Sequence, residues 1–270
     1  KTQYQRGRTM GTYKNRIVIK VGTSTLTNEL GQSDLRSFDR LACVLSDIHN
    51  MGYEVILVTS GAIAVGTSRL NLKARPGTLR MKQAVAAVGQ CRIMFLYDKF
   101  FGDYDKTIAQ ILLNADDIEM EEKKRNLTNT FNSLLEMGVI PVVNANDSVN
   151  YTEIESPERQ FGDNDMLSAV VAVLCKAGKL VLFSDVDGLY EREPHRYPDE
   201  KPVERVEQLD EAAFQCAETS GSRKGVSGVR TKLQAASLAV SHGIDTVLAN
   251  GNKPEVLYDL IENRPAGTLF

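Results

Sequence analysis

A chain of 270 residues with 42% apolar composition can bury a full core, and it accommodates one large α/β domain or two small ones. Its formal net charge of -3 leaves no basic excess to neutralise a phosphate backbone or an anionic surface, which argues against nucleic acid and membrane as partners. No apolar run reaches the roughly 18 residues that span a bilayer, and residues 1–15 carry no apolar signal core, so a cytoplasmic protein, in the cytosol or an organelle matrix, is expected.

The first predicted element is a strand over 16–21. A Gly22-Thr23-Ser24-Thr25 turn follows, then an amphipathic helix over 33–50 with Leu35, Phe38, Leu41, Leu45 and Ile48 at helical spacing. Gly52 stops that helix, and a strand over 54–59 runs into Ser60-Gly61-Ala62 and another helical stretch. Further strands are predicted at 107–113, 139–144, 179–184, 245–250 and 267–270, with helical patterns between most of them. The alternation predicts a three-layer α/β/α sandwich around a largely parallel sheet, and apolar runs such as Val181-Leu182-Phe183 fit strands covered on both faces. Polar segments at 146–160, 191–202 and 219–228 read as loops. Cys43, Cys91, Cys175 and Cys216 are scattered, without a CxxC pair or nearby histidine, and read as reduced core thiols.

In an open parallel sheet, ligands sit at the carboxyl ends of the strands. The residues following the apolar runs are Lys20, Gly22, Thr23 and Ser24; Ser60 and Gly61; Asn144, Asn146 and Asp147; and Ser184 and Asp185. Small residues there let backbone N–H groups approach an anion, as in a phosphate cradle. Any one glycine turn has a bland explanation, because every βα unit needs one; their coincidence carries the weight. Lys20, inside Ile17-Val18-Ile19-Lys20-Val21, either snorkels to solvent or meets an anion. Gly162-Asp163-Asn164-Asp165 precedes the apolar stretch 166–174, so its acids fall at a helix N-terminus, where a cap accounts for one of them but not both. Lys232 is predicted in the first turn of a helix over 229–240, behind the loop Gly225-Val226-Ser227-Gly228, and taken alone it reads as a solvated lysine.

Other chemistries lack their signatures. There is no GxxxxGK[ST], no GxGxxG, no HRD loop with a DFG partner and no HExxH. Asp185-Val186-Asp187-Gly188 does not complete a calcium loop, and His49, His195 and His242 form no cluster.

Val18-Ile19-Lys20-Val21-Gly22-Thr23-Ser24, Val58-Thr59-Ser60-Gly61-Ala62-Ile63, Val142-Val143-Asn144-Ala145-Asn146-Asp147, Gly162-Asp163-Asn164-Asp165 and Ser184-Asp185-Val186-Asp187-Gly188-Leu189-Tyr190 together resemble the amino acid kinase family. They occur in that family's order, up to the closing Gly267-Thr268-Leu269-Phe270, and resemble most its glutamate-phosphorylating branch. The resemblance implies an N-terminal extension over 1–15 and one kinase domain over 16–270, without the RNA-modification-type or reductase domain that some members carry. It implies phosphorylation of the side-chain carboxylate of L-glutamate by ATP with Mg²⁺, no protein residue being assigned to the metal. Lys20 and Lys232 would flank the transferred phosphoryl group, Asp165 would orient them, and Gly22, Thr23 and Gly61 would offer backbone donors. Ser60, Gly61, Asn144, Asp147, Asp163 and Asn164 would hold glutamate. Lys20, Gly22, Thr23, Ser184, Asp185, Val226, Ser227, Gly228, Val229, Arg230, Thr231 and Lys232 would border the nucleotide. Proline feedback and a homo-oligomer, dimer or tetramer, are further implications.

One departure stands out: where the family usually shows Gly-x-Gly-Gly-Met before the second lysine, this chain has Gly225-Val226-Ser227-Gly228-Val229, which leaves the conformation there open. A kinase of another small metabolite in the superfamily, or a catalytically silent nucleotide or amino acid sensor, remains an alternative. The chemistry itself fits. A carboxylate with pKa about 4 is ionised at neutral pH, so its attack on a phosphoryl group needs no general base, and catalysis reduces to positioning and charge neutralisation. Asp147 is the expected counter-charge to the substrate ammonium.

Overall fold

The computed structural model of the chain describes residues 12–28, 31–149, 164–192, 197, 199–209, 214 and 226–270. Strands β1 (Tyr13–Lys20), β2 (Glu54–Val58), β3 (Ile108–Leu113), β4 (Ile140–Ala145), β5 (Ala177–Ser184), β6 (Asp245–Asn250) and β7 (Thr268–Leu269) form one seven-stranded sheet in the order β3-β4-β2-β1-β5-β6-β7. Every pairing is parallel except that of β7 with β6. The helices are α1 (Thr23–Leu26), α2 (Leu35–Asn50), α3 (Ala62–Arg69), α4 (Leu79–Gly102), α5 (Asp116–Glu119), α6 (Glu121–Glu136), α7 (Asn164–Leu174), α8 (Val226–Ser241) and α9 (Val256–Ile261). None of the described helices is long and apolar enough to cross a membrane.

The period of two along each strand sorts its side chains into two cores. Ile17, Ile19, Val55, Leu57, Val181 and Phe183 pack with α2, α3, α4 and α9, whereas Val18, Ile56, Val58, Leu180 and Leu182 pack with α6, α7 and α8. Both faces are therefore apolar, and each fully buried aliphatic side chain contributes roughly 1.5–3 kcal/mol. Helix α2 starts where Asp34 Oδ1 accepts from the backbone N–H groups of Arg36 and Ser37, and it ends just before Gly52, whose φ of +91° suits only glycine well.

Helices α3 and α4 cross backbone to backbone. A Cβ on Gly89 would stand 1.8 Å from the Ala62 carbonyl oxygen, and one on Gly66 would stand 2.0 Å from that of Val85. This contact draws the middle of α4 against the carboxyl end of the sheet.

Two expectations need correction. Helix α8 begins at Val226, ahead of the predicted 229. The first N–H groups of a helix need no intrahelical partner, and with serine at 227 a single glycine at 228 is tolerated there, so the helix extends back and Lys232 falls in its second turn. The cysteines are not all core thiols. Cys175 is buried, Cys43 is half-buried and Cys91 is exposed, because Cys91 falls off the buried stripe of α4 that runs through Ala86, Gly89, Gln90, Ile93 and Tyr97. Cys216 lies outside the described residues.

Candidate active site

Lys20 is the last residue of β1, and the alternation that sends Val18 toward α7 and α8 sends Lys20 to the same side. Only 6% exposed, it meets an acid rather than solvent: its Nζ lies 2.6 Å from Oδ1 of Asp165, itself 2% exposed in the first turn of α7. The other carboxylate oxygen, Oδ2, accepts from Lys232 Nζ at 3.0 Å and from Thr231 Oγ1 at 3.1 Å, both on α8. Lys232 Nζ also donates to the Gly228 carbonyl at 3.2 Å, which ties its side chain to the preceding turn.

Burial pushes the Asp165 carboxyl up, but the adjacent Lys20 and Lys232 ammonium groups outweigh it and hold the group below the usual carboxylate range. Two ammonium groups, that of the buried Lys20 and that of the half-buried Lys232, thus share one carboxylate. The positive excess faces the carboxyl edge of the sheet, an arrangement suited to an incoming anion.

The neighbouring turns converge on this cluster. A Cβ on Gly22 would come 3.7 Å from Lys20 Nζ, so a bare backbone passes beside the ammonium group. Ser60 Oγ donates to the Val21 carbonyl at 3.1 Å and lies 3.3 Å from Thr23 Oγ1. Gly61 opens α3 at φ +90°, where a Cβ would press on Thr23 at 3.2 Å. Register extends the row sideways, since Lys20 pairs with Val58 on one side and Leu182 on the other, which sets Gly22 and Ser60, each two residues past the end of its strand, beside Ser184 at the end of β5.

Asn144 ends this row on β4 and is 1% exposed. Beyond it, Asn146 and Asp147 line a cavity of about 380 Å³ together with Gln90, Cys91 and Met94 of α4. The cavity lies on the α3/α4 side of the sheet and the lysine cluster on the α7/α8 side, with the polar strand ends between them. Asn164, the residue before Asp165, is half-buried, and its Oδ1 has no hydrogen-bond partner among the described residues.

The remaining expected residues are less tightly gathered. Ser184 Oγ donates to Oδ1 of the exposed Asp185 at 3.1 Å at the end of β5. In α8, Val229 packs into the core and Arg230 is exposed. Val226 and Ser227 lie in the first turn of that helix, their side chains outside the description, and Asp163 lies outside the described residues altogether. Gln90 is the residue that the sequence reading missed. Its signal was a polar side chain within the buried stripe of α4.

Comparison with known proteins places these features in a lineage. Residues 15–250 match the amino acid kinase family. The chain is 49% identical over 255 residues to the glutamate 5-kinase of Clostridium perfringens, covering 94% of each chain. It is 44% identical over 268 residues to the glutamate 5-kinase of Clostridium tetani, covering 99% of this chain and 98% of that one. Among solved structures, the carbamate kinase from Giardia lamblia bound to AMP-PNP superposes with a TM-score of 0.66 at 12% identity, over 96% of this chain and 98% of that one. The UMP kinase from Ureaplasma parvum gives a TM-score of 0.62 at 16% identity, over 95% and 98%. At such identities the structural likeness speaks for the fold alone.

Proposed function

The chain belongs to the amino acid kinase family, and from that premise we propose that it transfers the γ-phosphoryl group of ATP to the side-chain carboxylate of L-glutamate. The product is glutamyl 5-phosphate, and the reaction is the first step of proline biosynthesis. The observation that carries the reading is the pair of ammonium groups on Asp165, set at the carboxyl edge of a parallel sheet in a chain whose relatives are named glutamate 5-kinase.

The work of these residues is electrostatic. The attacking group is already an anion, and so is the phosphoryl group, so the barrier is the approach of like charges. Lys20 and Lys232 offset that repulsion and the charge that develops on the phosphoryl oxygens, while Asp165 fixes both ammonium groups before substrate arrives. Such preorganisation avoids reorientation during the reaction. Gly22 and Gly61 keep the backbone bare where an anion must pass. Asp147, on the cavity wall, is the counter-charge for the substrate ammonium.

Magnesium would be held by the phosphates of the nucleotide, with no residue of this chain assigned to it, and Asp165 is engaged by both lysines.

The test is ADP release from Mg-ATP in the presence of glutamate, N-acetylglutamate or aspartate, with hydroxylamine to trap an acyl phosphate. Hydroxamate is expected with glutamate alone. Turnover that prefers N-acetylglutamate or aspartate would overturn the reading.

A further inference from the structure

Backbone chemistry settles how the amide behind the Asp147 cavity is oriented. The Ala145 N–H donates to Asn144 Oδ1 at 2.9 Å, so Asn144 must present its Nδ2 to Gln90, and the Gln90 atom 2.8 Å away must be the acceptor Oε1. That leaves Gln90 Nε2 buried, with two N–H groups and no partner among the described residues. Gln90 is 7% exposed and lines the cavity beside Asn146 and Asp147. Its position follows from its neighbour, because the bare Gly89 lets α4 close on Ala62. A buried donor left without an acceptor is a standing cost to the fold, and such groups call for an explanation.

On the glutamate reading given above, we propose that Gln90 is a substrate-binding and specificity-determining residue, its Nε2 donating to the α-carboxylate of the amino acid. Asp147 then takes the α-ammonium on the same wall, and the side-chain carboxylate reaches across the strand ends toward Lys20. The chemistry favours an amide in this role. A neutral donor holds the α-carboxylate without cancelling the Asp147 charge that the adjacent ammonium needs, whereas a lysine or arginine there would pair with Asp147 itself. Oε1, meanwhile, keeps Asn144 in place.

Two variants separate the roles. Gln90→Glu keeps an acceptor facing Asn144 and replaces the donor with an oxygen; Gln90→Met removes both functions at similar volume. Once each is shown to melt as a folded protein, KM and kcat are measured with glutamate. Inhibition constants are measured with glutarate, which lacks the α-ammonium, and with 4-aminobutyrate, which lacks the α-carboxylate. The glutamate KM is expected to rise about 10- to 100-fold in both variants, the worth of a hydrogen bond to a charged group, with the ATP KM unchanged. Glutarate binding is expected to weaken alongside, and 4-aminobutyrate binding to stay as in the wild type. An unchanged glutamate KM in Gln90→Glu, or an equal loss for 4-aminobutyrate, would overturn the role of Gln90 alone. A wild-type protein that does not turn over glutamate at all would instead overturn the reading beneath it.

Discussion

Lys20 and Asp165 meet at 2.6 Å between the end of β1 and the first turn of α7, both almost wholly buried. Desolvating such a pair costs several kcal/mol per ion before their attraction returns any of it, so replacement by apolar residues would serve stability as well or better. What apolar residues could not supply is a fixed ammonium group at the strand end, beside the bare backbone of Gly22 and sharing its partner with Lys232.

Asp165→Asn leaves both ammonium groups without their common carboxylate, and it is expected to destabilise the fold by about 3–5 kcal/mol in urea titration. The pH dependence has a definite sign. Burial raises this carboxyl but the two lysines lower it further, so its folded-state pKa is depressed. Its stabilising contribution is therefore complete above the ordinary carboxylate range and lost as pH falls through the folded value. Below pH about 4 the wild type should lose stability more steeply than Asp165→Asn. Parallel stability profiles for the two proteins would contradict this.

Asp147→Asn keeps the shape of the cavity wall and removes its charge. The KM for glutamate is expected to rise about 10- to 100-fold while the ATP KM holds, because a charge-assisted bond to the substrate ammonium becomes a neutral one. Steady-state kinetics with each substrate varied in turn decides it. An unaltered glutamate KM would remove Asp147 from the substrate site.

The glycines of α4 divide by what surrounds them. A methyl group at Gly89 would meet Ala62 O at 1.8 Å and Gly66 N at 2.6 Å, whereas nothing lies within 4 Å of one at Gly102. Gly89→Ala should force α3 and α4 apart at a cost of about 1–3 kcal/mol or more. Gly102→Ala should leave stability unchanged or raise it by up to about 1 kcal/mol through helix propensity. Thermal melting of both variants checks the contrast, and equal melting temperatures would contradict the close approach of the two helices.

The sheet was legible in the sequence because its strands are near-continuous apolar runs, and the row of polar residues at their carboxyl ends followed from the parallel topology. Lys20 was legible for the same reason, as a charge where the pattern demanded an aliphatic. Lys232 was legible only through the family resemblance, since a lysine in a helix is ordinary until α7 and α8 pack and bring Asp165 to it. Gln90 stayed hidden because its meaning depends on a crossing of α3 and α4 that two glycines permit, a contact without any local periodicity. The early start of α8 went unread because a glycine before a lysine looks like a loop until the helix is seen to absorb it.

The most direct test of the whole account is hydroxamate formation by Lys20→Met under saturating Mg-ATP and glutamate, set beside the wild type. Lys20 is the point where strand, helix and transferred charge meet. A variant that folds but loses about 100- to 1000-fold in kcat is the expected result, the usual cost of removing one preorganised donor to developing charge. A folded Lys20→Met protein that forms hydroxamate at the wild-type rate would contradict the account at its centre.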